Sequence, residues 1–265
     1  MGDGAERVRT PAVAGFFYPA GQRELRQQVQ AFLADARPGA GTPKALIAPH
    51  AGYPYSGPVA GSAYALLADA ASRIRRVVLL GPAHRLGFRG LAYCSANTFL
   101  TPLGPVPVDR NALASLADLP QVREYDAPFN GEHCLEVQIP FLQTQLRDFR
   151  LIPLLVGDAD PEAVAQVLER LWGGDETLIL ISSDLSHYLS YPVAQRRDAV
   201  TTATIERLQL LPDPGQACGQ HPINGLLLQA QRHHLTVRTL DQRNSGDTAG
   251  SRDRVVGYGA YAFFA

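Results

Sequence analysis

The sequence predicts an α/β protein in which a mostly parallel or mixed central sheet lies between two layers of helices, a three-layer αβα sandwich. Short apolar runs typical of buried strands alternate with amphipathic runs typical of helices along almost the whole chain. Crossover connections of this kind place helices on both faces of a parallel sheet. No long polar linker divides the 265 residues. We therefore predict one domain over residues 1–265, with a polar, mobile segment at residues 1–10.

The predicted strands are short, apolar and bounded by turn residues. The strongest covers residues 177–182, where five apolar or β-branched side chains precede a serine. The other predicted strands cover residues 45–48, 77–80, 90–95, 149–156, 236–241 and 254–264.

The predicted helices combine an apolar stripe with proline or glycine at their ends. Residues 161–171 begin with proline at the first helical position, where its missing amide costs nothing. Pro140 falls early in a helix expected from about residue 135, so that helix starts later or is kinked. The other predicted helices cover residues 23–36, 59–69, 112–117, 194–210 and 222–232.

The composition excludes several classes of function. The chain has 24 basic and 25 acidic residues and a net charge of −1, so no basic face for nucleic acid is expected. No apolar run reaches the length of a membrane span, and the first residues lack the apolar stretch of a signal peptide. Three cysteines without compact spacing argue against a disulfide framework. We expect a cytoplasmic protein whose thiols are free to bind metal.

Histidines stand where apolar segments end. His50 follows residues 44–49, His84 follows residues 77–83 and His187 follows the apolar run that starts at residue 178, whereas His133 opens the segment after it. In an open α/β sheet, ligands bind beyond the carboxyl ends of the strands. These histidines therefore predict one shared polar pocket, and His50 and His84 are expected at the ends of neighbouring strands.

The candidate metal ligands are His50, His84 and Cys218. Two imidazoles need a third ligand, and Cys218 lies just before a predicted helix, whose amino terminus lowers the pKa of a thiol. Two histidines and one cysteine suit copper, zinc or iron and leave a coordination position open. The alternative for Cys218 is a small buried apolar side chain, which is the usual role of a free cysteine.

The candidate acid/base residues are His187, Asp184 and His133. Asp184 and His187 are three residues apart just beyond a strand, a spacing that puts both side chains on one side of a turn. A carboxylate beside an imidazole orients the ring and raises its basicity, so His187 would act as the base. The alternative role of Asp184 is to cap a helix. His133 is a second acid/base, a substrate donor or a packing residue.

The chain resembles the Memo family, whose bacterial and archaeal members are called AmmeMemoRadiSam system protein B. The resemblance covers nearly the whole chain from Pro11. Three motifs carry it in the first half, at residues 11–19 (PAVAGFFYP), 49–57 (PHAGYPYSG) and 81–84 (GPAH). Three more follow at residues 132–138 (EHCLEVQ), 182–187 (SSDLSH) and 218–223 (CGQHPI).

The resemblance implies a fold similar to the catalytic subunit of LigB-type class III extradiol dioxygenases. Those enzymes hold iron(II) with two histidines and a glutamate, and a further histidine handles protons. By motif, His50 and His84 match the two histidine ligands and Cys218 takes the third place, as in Memo proteins. His187 matches the catalytic histidine, and Asp184 and His133 line the pocket.

The thiolate is a departure from the dioxygenases, because it makes the site softer and can favour copper or tune iron differently. Ring cleavage therefore does not follow from the resemblance. Memo proteins of animals are described as metal-binding redox proteins and as binders of phosphotyrosine peptides. The bacterial members are associated with a radical-SAM protein and an AMMECR-type protein, which the resemblance implies as partners.

Three functions compete at this stage. The favoured one is a redox enzyme with mononuclear iron(II) or copper that acts on dioxygen or a small-molecule substrate. The second is a peptide-binding module, and the third is zinc-assisted hydrolysis with His187 as the base. The aromatic residues expected around the rim for peptide binding are Phe16, Phe17, Tyr18, Tyr53 and Tyr55.

Overall fold

A computed structural model describes residues 7–37 and 39–265 of the chain. Residues 1–6 of the segment predicted to be mobile lie outside the described residues. Of the remaining four, Val8 and Arg9 form a short strand that pairs in parallel with residues Thr98 and Phe99. This end of the segment is therefore part of the fold, which differs from the prediction.

The chain forms twelve strands and seven α-helices over the described residues. In chain order the strands are β1 (Val8–Arg9), β2 (Ala45–Ala48), β3 (Arg76–Pro82), β4 (Leu91–Tyr93), β5 (Thr98–Thr101), β6 (Gly104–Pro107), β7 (Val122–Glu124), β8 (Arg150–Val156), β9 (Thr177–Ser182), β10 (His187–Leu189), β11 (Thr236–Asn244) and β12 (Val255–Phe264). The α-helices are α1 (Gln22–Asp35), α2 (Tyr53–Tyr64), α3 (Arg110–Ala114), α4 (Ile139–Gln145), α5 (Pro161–Leu171), α6 (Tyr191–Glu206) and α7 (Gln220–Arg232).

The main sheet is mixed, with a parallel centre. Its order is β11-β12-β2-β9-β3-β8-β4-β7, and β10 pairs with the first residues of β12. The four central strands β2, β9, β3 and β8 are parallel, whereas β12 and β4 run antiparallel to them. A separate small sheet has the order β1-β5-β6.

Helices cover the sheet in two groups. Helices α1, α2 and α4 pack together, and α2 contacts β2 and β12. Helices α5 and α7 pack together, and α7 contacts β3 and β9. Every residue of β2 and β9 is buried, as expected for strands covered on both faces. The predicted αβα class is therefore confirmed.

Some differences from the predicted elements lie at proline positions. Helix α2 begins at Tyr53, earlier than the predicted residue 59, because Pro54 stands in the first turn, where proline is tolerated. Strand β6 was not predicted, because its two prolines are typical of turns, but its position at a sheet edge accepts them. As expected from Pro140, the α4 helix starts late, after a 3₁₀ turn.

No helix in the ranges 7–37 and 39–265 is both long and apolar enough to cross a bilayer.

Candidate metal centre

The carboxyl ends of three central strands meet at one cavity. His50 follows β2, His84 follows β3 and Asp184 follows β9. These side chains line a cavity of about 640 Å³ together with His133 and His187. The prediction that His50 and His84 end neighbouring strands is wrong, because β9 lies between β2 and β3 and brings Asp184 between them.

Three imidazoles form the centre of this cavity. One ring nitrogen from each of His50, His84 and His133 lies within 4.8 Å of the others. The rings of His84 and His133 stack with centroids 5.1 Å apart, and the His50 ring meets both edge-on at 5.2 and 5.6 Å. Three nitrogens at this spacing can hold one metal ion.

Hydrogen bonds to Ser182 fix the tautomer of His50. The Ser182 hydroxyl lies 2.6 Å from the carbonyl oxygen of Cys134 and donates its only proton there. It accepts a hydrogen bond from the amide of Gln138 at 2.7 Å. The remaining contact, 2.8 Å to Nδ1 of His50, therefore needs a proton on Nδ1. The lone pair of the buried His50 ring then lies on Nε2, ready for a ligand bond.

The Glu132 carboxylate orients His84 in the same way. It accepts hydrogen bonds from Nδ1 of His84 at 3.0 Å and from the His84 backbone amide at 2.6 Å. The amides of His133 and Cys134 donate to it as well. Burial opposes ionisation of Glu132, but the hydrogen bonds from His84 and from the Cys134 amide hold its pKa well below the ordinary value. An ionised Glu132 therefore keeps the proton on Nδ1 of His84 and leaves Nε2 free.

His133 contributes a ring nitrogen that nothing else in the described chain satisfies. Its Nδ1 is buried and makes no hydrogen bond, although the Glu132 carboxylate lies 3.4 Å away. Burial lowers the pKa of His133 to about 4, and burial also lowers the pKa of His50 well below its ordinary value. Both rings are therefore neutral near pH 7, the form that binds metal.

Cys218 contacts the cluster through His50. Its sulfur lies 3.3 Å from Nε2 of His50 and accepts a hydrogen bond from the Asp184 amide. Metal bonds of about 2.0 Å to nitrogen and about 2.3 Å to sulfur, at a tetrahedral angle, separate the two ligand atoms by about 3.5 Å. The observed separation therefore suits two ligands on one ion. The atoms of His50, His84 and Cys218 do not all lie within 4.8 Å, whereas those of His50, His84 and His133 do.

The prediction that the amino terminus of a helix lowers the pKa of the Cys218 thiol is wrong. Burial, together with the nearby Asp184 carboxylate, raises the pKa of this thiol to about 12. The α7 amino terminus, which begins two residues later, does not outweigh these effects. The thiol proton would leave when the sulfur binds a metal ion, because coordination couples to deprotonation.

Asp184 and His187 share the cavity but do not form the expected pair. No hydrogen bond or ion pair joins their side chains within the described residues. The Asp184 carboxylate instead accepts a hydrogen bond from the His50 amide at 2.8 Å, and burial raises its pKa to about 6. The His187 ring is half-buried at the start of β10, where it meets the ring of Tyr188.

The cavity walls include aromatic and cationic side chains. Phe17 packs on the His133 ring with centroids 4.6 Å apart, and Tyr55 lines the opening. Tyr188 has a φ of 58°, an uncommon conformation for a bulky residue, and leaves 64% of its surface exposed. The guanidinium of Arg254 lies over its ring at 5.4 Å.

The predicted aromatic rim is partly wrong. Tyr18 and Tyr53 are buried, and their hydroxyls donate to Glu136 and to the carbonyl oxygen of Val137. Phe16 is exposed.

Glu136 anchors the segment that carries Phe17. Its buried carboxylate accepts hydrogen bonds from the amides of Ala12 and Val13 and from the Tyr18 hydroxyl, and it pairs with Arg9 at 3.2 Å. These four donors therefore fix residues 9–18, which include Phe17, beside the cavity.

Several of these residues were missed in the sequence. Glu132 precedes His133 directly, and Ser182 ends β9, so their positions beside predicted site residues were the available signal. Arg85 directly follows His84 and Gln138 ends the motif at residues 132–138, so the same signal was available for them. Arg254 carries no local signal, because only the folded chain brings it to the cavity.

Comparison with known proteins identifies the family. The sequence profile of the Memo family, described as Memo-like protein, matches residues 9–262. The chain belongs to the Memo family. A MEMO1 family protein of Pyrobaculum aerophilum is 32% identical over 286 residues, covering 97% of this chain and 99% of the relative. A MEMO1 family protein of Aquifex aeolicus is 34% identical over 268 residues, covering 95% of this chain and 97% of the relative.

A solved structure shares the fold of this Memo family chain. An uncharacterized protein of Escherichia coli K12 superposes with a TM-score of 0.51, covering 81% of this chain and 98% of that one. The two sequences are 15% identical, so the likeness concerns the α/β fold. Family membership and the imidazole cluster together are compatible with metal binding.

Proposed function

We propose that this Memo family protein is a metal-dependent oxidoreductase with one iron(II) or copper ion bound by His50, His84 and Cys218. The main support is the convergence of one imidazole nitrogen each from His50, His84 and His133, with the Cys218 thiol 3.3 Å from His50. His133 lies close enough to serve as a further ligand or to donate a hydrogen bond to the substrate.

The donor set fits a redox metal. Neutral imidazoles and a thiol suit iron, copper and zinc, and the unpartnered Nδ1 of His133 gives the site one more nitrogen to satisfy. When bound, iron or copper would supply one-electron chemistry with dioxygen or a small aromatic substrate. Zinc would instead activate water, with His187 as the base, and makes hydrolysis the alternative.

Two side chains are suited to moving protons inside the cavity. The pKa of Asp184, about 6, lies close to neutrality, so this carboxyl can both accept and donate a proton. The His187 ring lines the same cavity, and no carboxylate among residues 7–37 and 39–265 pairs with it. We assign proton transfer with the substrate to His187, and to Asp184 a role in holding the His50 loop and exchanging protons.

Metal analysis combined with oxygen uptake tests this proposal. The wild type should bind iron or copper at one equivalent and consume oxygen with the native metal. His50→Ala should lose the metal, whereas His187→Ala should keep the metal and lose oxygen uptake. His234→Asn is the matched control, because His234 lies at the end of α7 with a φ of 53°, which asparagine tolerates. A protein that takes up neither iron nor copper would contradict the proposal.

Peptide binding is the second candidate, and the exposed aromatic side chains near the cavity favour it. Tyr188 lines the cavity and is 64% exposed, and Phe16, which precedes the lining residue Phe17, is 87% exposed. Exposed aromatic groups beside a cavity often anchor a bound chain. Peptide capture by wild type and by His50→Ala discriminates the candidates, because capture that persists unchanged in the variant would place recognition outside the metal centre.

A further inference from the structure

A second large cavity lies at the opposite end of the parallel strands. It has a volume of about 770 Å³ and opens where β3 and β8 begin, between α3 and the end of α5. Its lining carries a single carboxylate, that of Asp109. Four arginines line it: Arg76, Arg110, Arg150 and Arg170. This concentration of positive charge stands out in a chain whose net charge is −1.

Two of these arginines face each other directly. Arg76 of β3 and Arg150 of β8 are register partners in adjacent parallel strands, so their side chains leave the sheet on the same face. Like charges at directly paired strand positions repel each other. The Asp109 carboxylate lies 3.3 Å from Nε of Arg76. An anion between the two guanidinium groups would remove this repulsion.

Free hydrogen-bond donors remain in this cavity. The Arg150 side chain makes no hydrogen bond or ion pair with any residue that the structure describes. The two terminal nitrogens of Arg76 also make no hydrogen bond within the same residues. Arg110 and Arg170 are partly engaged with Glu124 and Asp118 at the surface. Arg76 and Arg150 therefore offer the open positions.

We propose that this arginine cavity binds a small molecule that carries a phosphoryl group. Guanidinium forks match the oxygens of a phosphate bidentately, and one tetrahedral dianion can reach Arg76 and Arg150 at the same time. The cavity volume is that of a pocket for a molecule of cofactor size, and Asn97, Asn111 and Ser115 supply neutral polar groups around it. This site is separate from the histidine cluster and does not depend on the proposed metal chemistry.

Pyrophosphate binding measured by calorimetry at constant ionic strength tests the site. Arg150→Gln and Arg76→Gln should each weaken binding by roughly tenfold or more, because each removes a charge-assisted hydrogen bond. Arg196→Gln is the matched control, since Arg196 is an exposed arginine on α6, which packs against β11 and β12. Tricarballylate, which carries carboxylates only, should bind more weakly than pyrophosphate.

Three results would overturn the proposal. Binding reduced by Arg254→Gln but not by Arg150→Gln would place the anion in the histidine cavity. An equal response of Arg196→Gln and Arg150→Gln would show nonspecific attraction. Equal affinity for tricarballylate and pyrophosphate would contradict the phosphoryl preference. A thermal unfolding scan without ligand should show Arg150→Gln at least as stable as wild type, because the variant relieves the repulsion from Arg76.

Discussion

The two ends of the central parallel strands carry opposite kinds of polar chemistry. At the carboxyl ends, the neutral His50 ring is buried, and the carboxylate that orients His84 is 1% exposed. At the amino ends, guanidinium groups line an open cavity, and the carboxylate that pairs with Arg170 is 66% exposed. Contacts between residues far apart in the sequence form both ends of the sheet. The two ends differ in how far water screens their charged side chains.

This difference in exposure decides which contacts contribute to the stability of the fold. A buried carboxylate that loses its partners keeps its full cost of desolvation, so each bond at the histidine end is expensive to remove. An exposed ion pair exchanges freely with water and salt and contributes little. The histidine end is therefore organised before any ligand arrives, whereas the arginine end stays free to rearrange around an anion.

Glu136→Ala should give the largest effect. The substitution removes the acceptor of four donors and leaves the Arg9 guanidinium, whose side chain is 12% exposed, with carbonyl acceptors but no counter-charge. The free energy of unfolding should fall by about 3–5 kcal/mol, as when a buried ion pair loses one member. Urea denaturation measures this, with Glu24→Ala on the exposed face of α1 as the control. A loss of unfolding free energy no larger than that of the control would show that the buried Glu136 carboxylate does not stabilise the structure around the histidine cavity.

Glu132→Gln tests whether the buried carboxylate tunes the metal centre. The variant keeps the size of the side chain but removes the charge that holds the proton on Nδ1 of His84. Metal affinity should fall by about 10–100-fold, the usual effect of losing a partner of a ligating histidine. Competitive titration with a chelator measures this. Glu162→Gln, which changes an exposed ion pair with Arg232, should leave the affinity unchanged.

Ser182→Ala should produce a smaller loss at the same end. It removes the neutral acceptor that holds Nδ1 of His50 and the amide of Gln138. Metal affinity should fall by about tenfold, at the lower end of such effects, because the lost acceptor carries no charge. Ser56→Ala is the control, since that buried hydroxyl donates to the carbonyl oxygen of Ala51 and does not contact His50 or Gln138. Unchanged affinity in Ser182→Ala would contradict the tautomer assigned to His50.

Much of the fold could be predicted from the sequence, because strands and helices have recognisable local patterns. Strands β2 and β9 were predicted at their observed bounds, since buried parallel strands are continuous apolar runs. The order of strands was not accessible in the same way. The insertion of β9 between β2 and β3 depends on crossover packing, which no local pattern records.

The residues of the candidate site likewise fall into those that the sequence predicted and those that it did not. His50 and His84 were predicted because residues at the carboxyl ends of strands meet by topology alone. The contacts that orient them were not, because Glu132 and Ser182 reach those rings from segments 48 and 132 residues away in the chain. The arginine cavity was missed for the same reason: Arg76 and Arg150 become neighbours only through the pairing of β3 with β8.

Asp118→Asn should have the smallest effect on stability. It tests most directly whether the exposed ion pairs at the amino ends of the strands contribute less than the buried carboxylates at the carboxyl ends. Asp118 and Arg170 are both at the surface, and many exposed ion pairs contribute nothing measurable, so the urea midpoint should not move. The freed Arg170 guanidinium adds a donor to the arginine cavity, so pyrophosphate should bind more tightly than to wild type. Asp175→Asn, an exposed change outside the cavity lining, should alter neither quantity. A clear loss of stability in Asp118→Asn would mean that the amino end of the sheet is held by its ion pairs and is not open to a ligand.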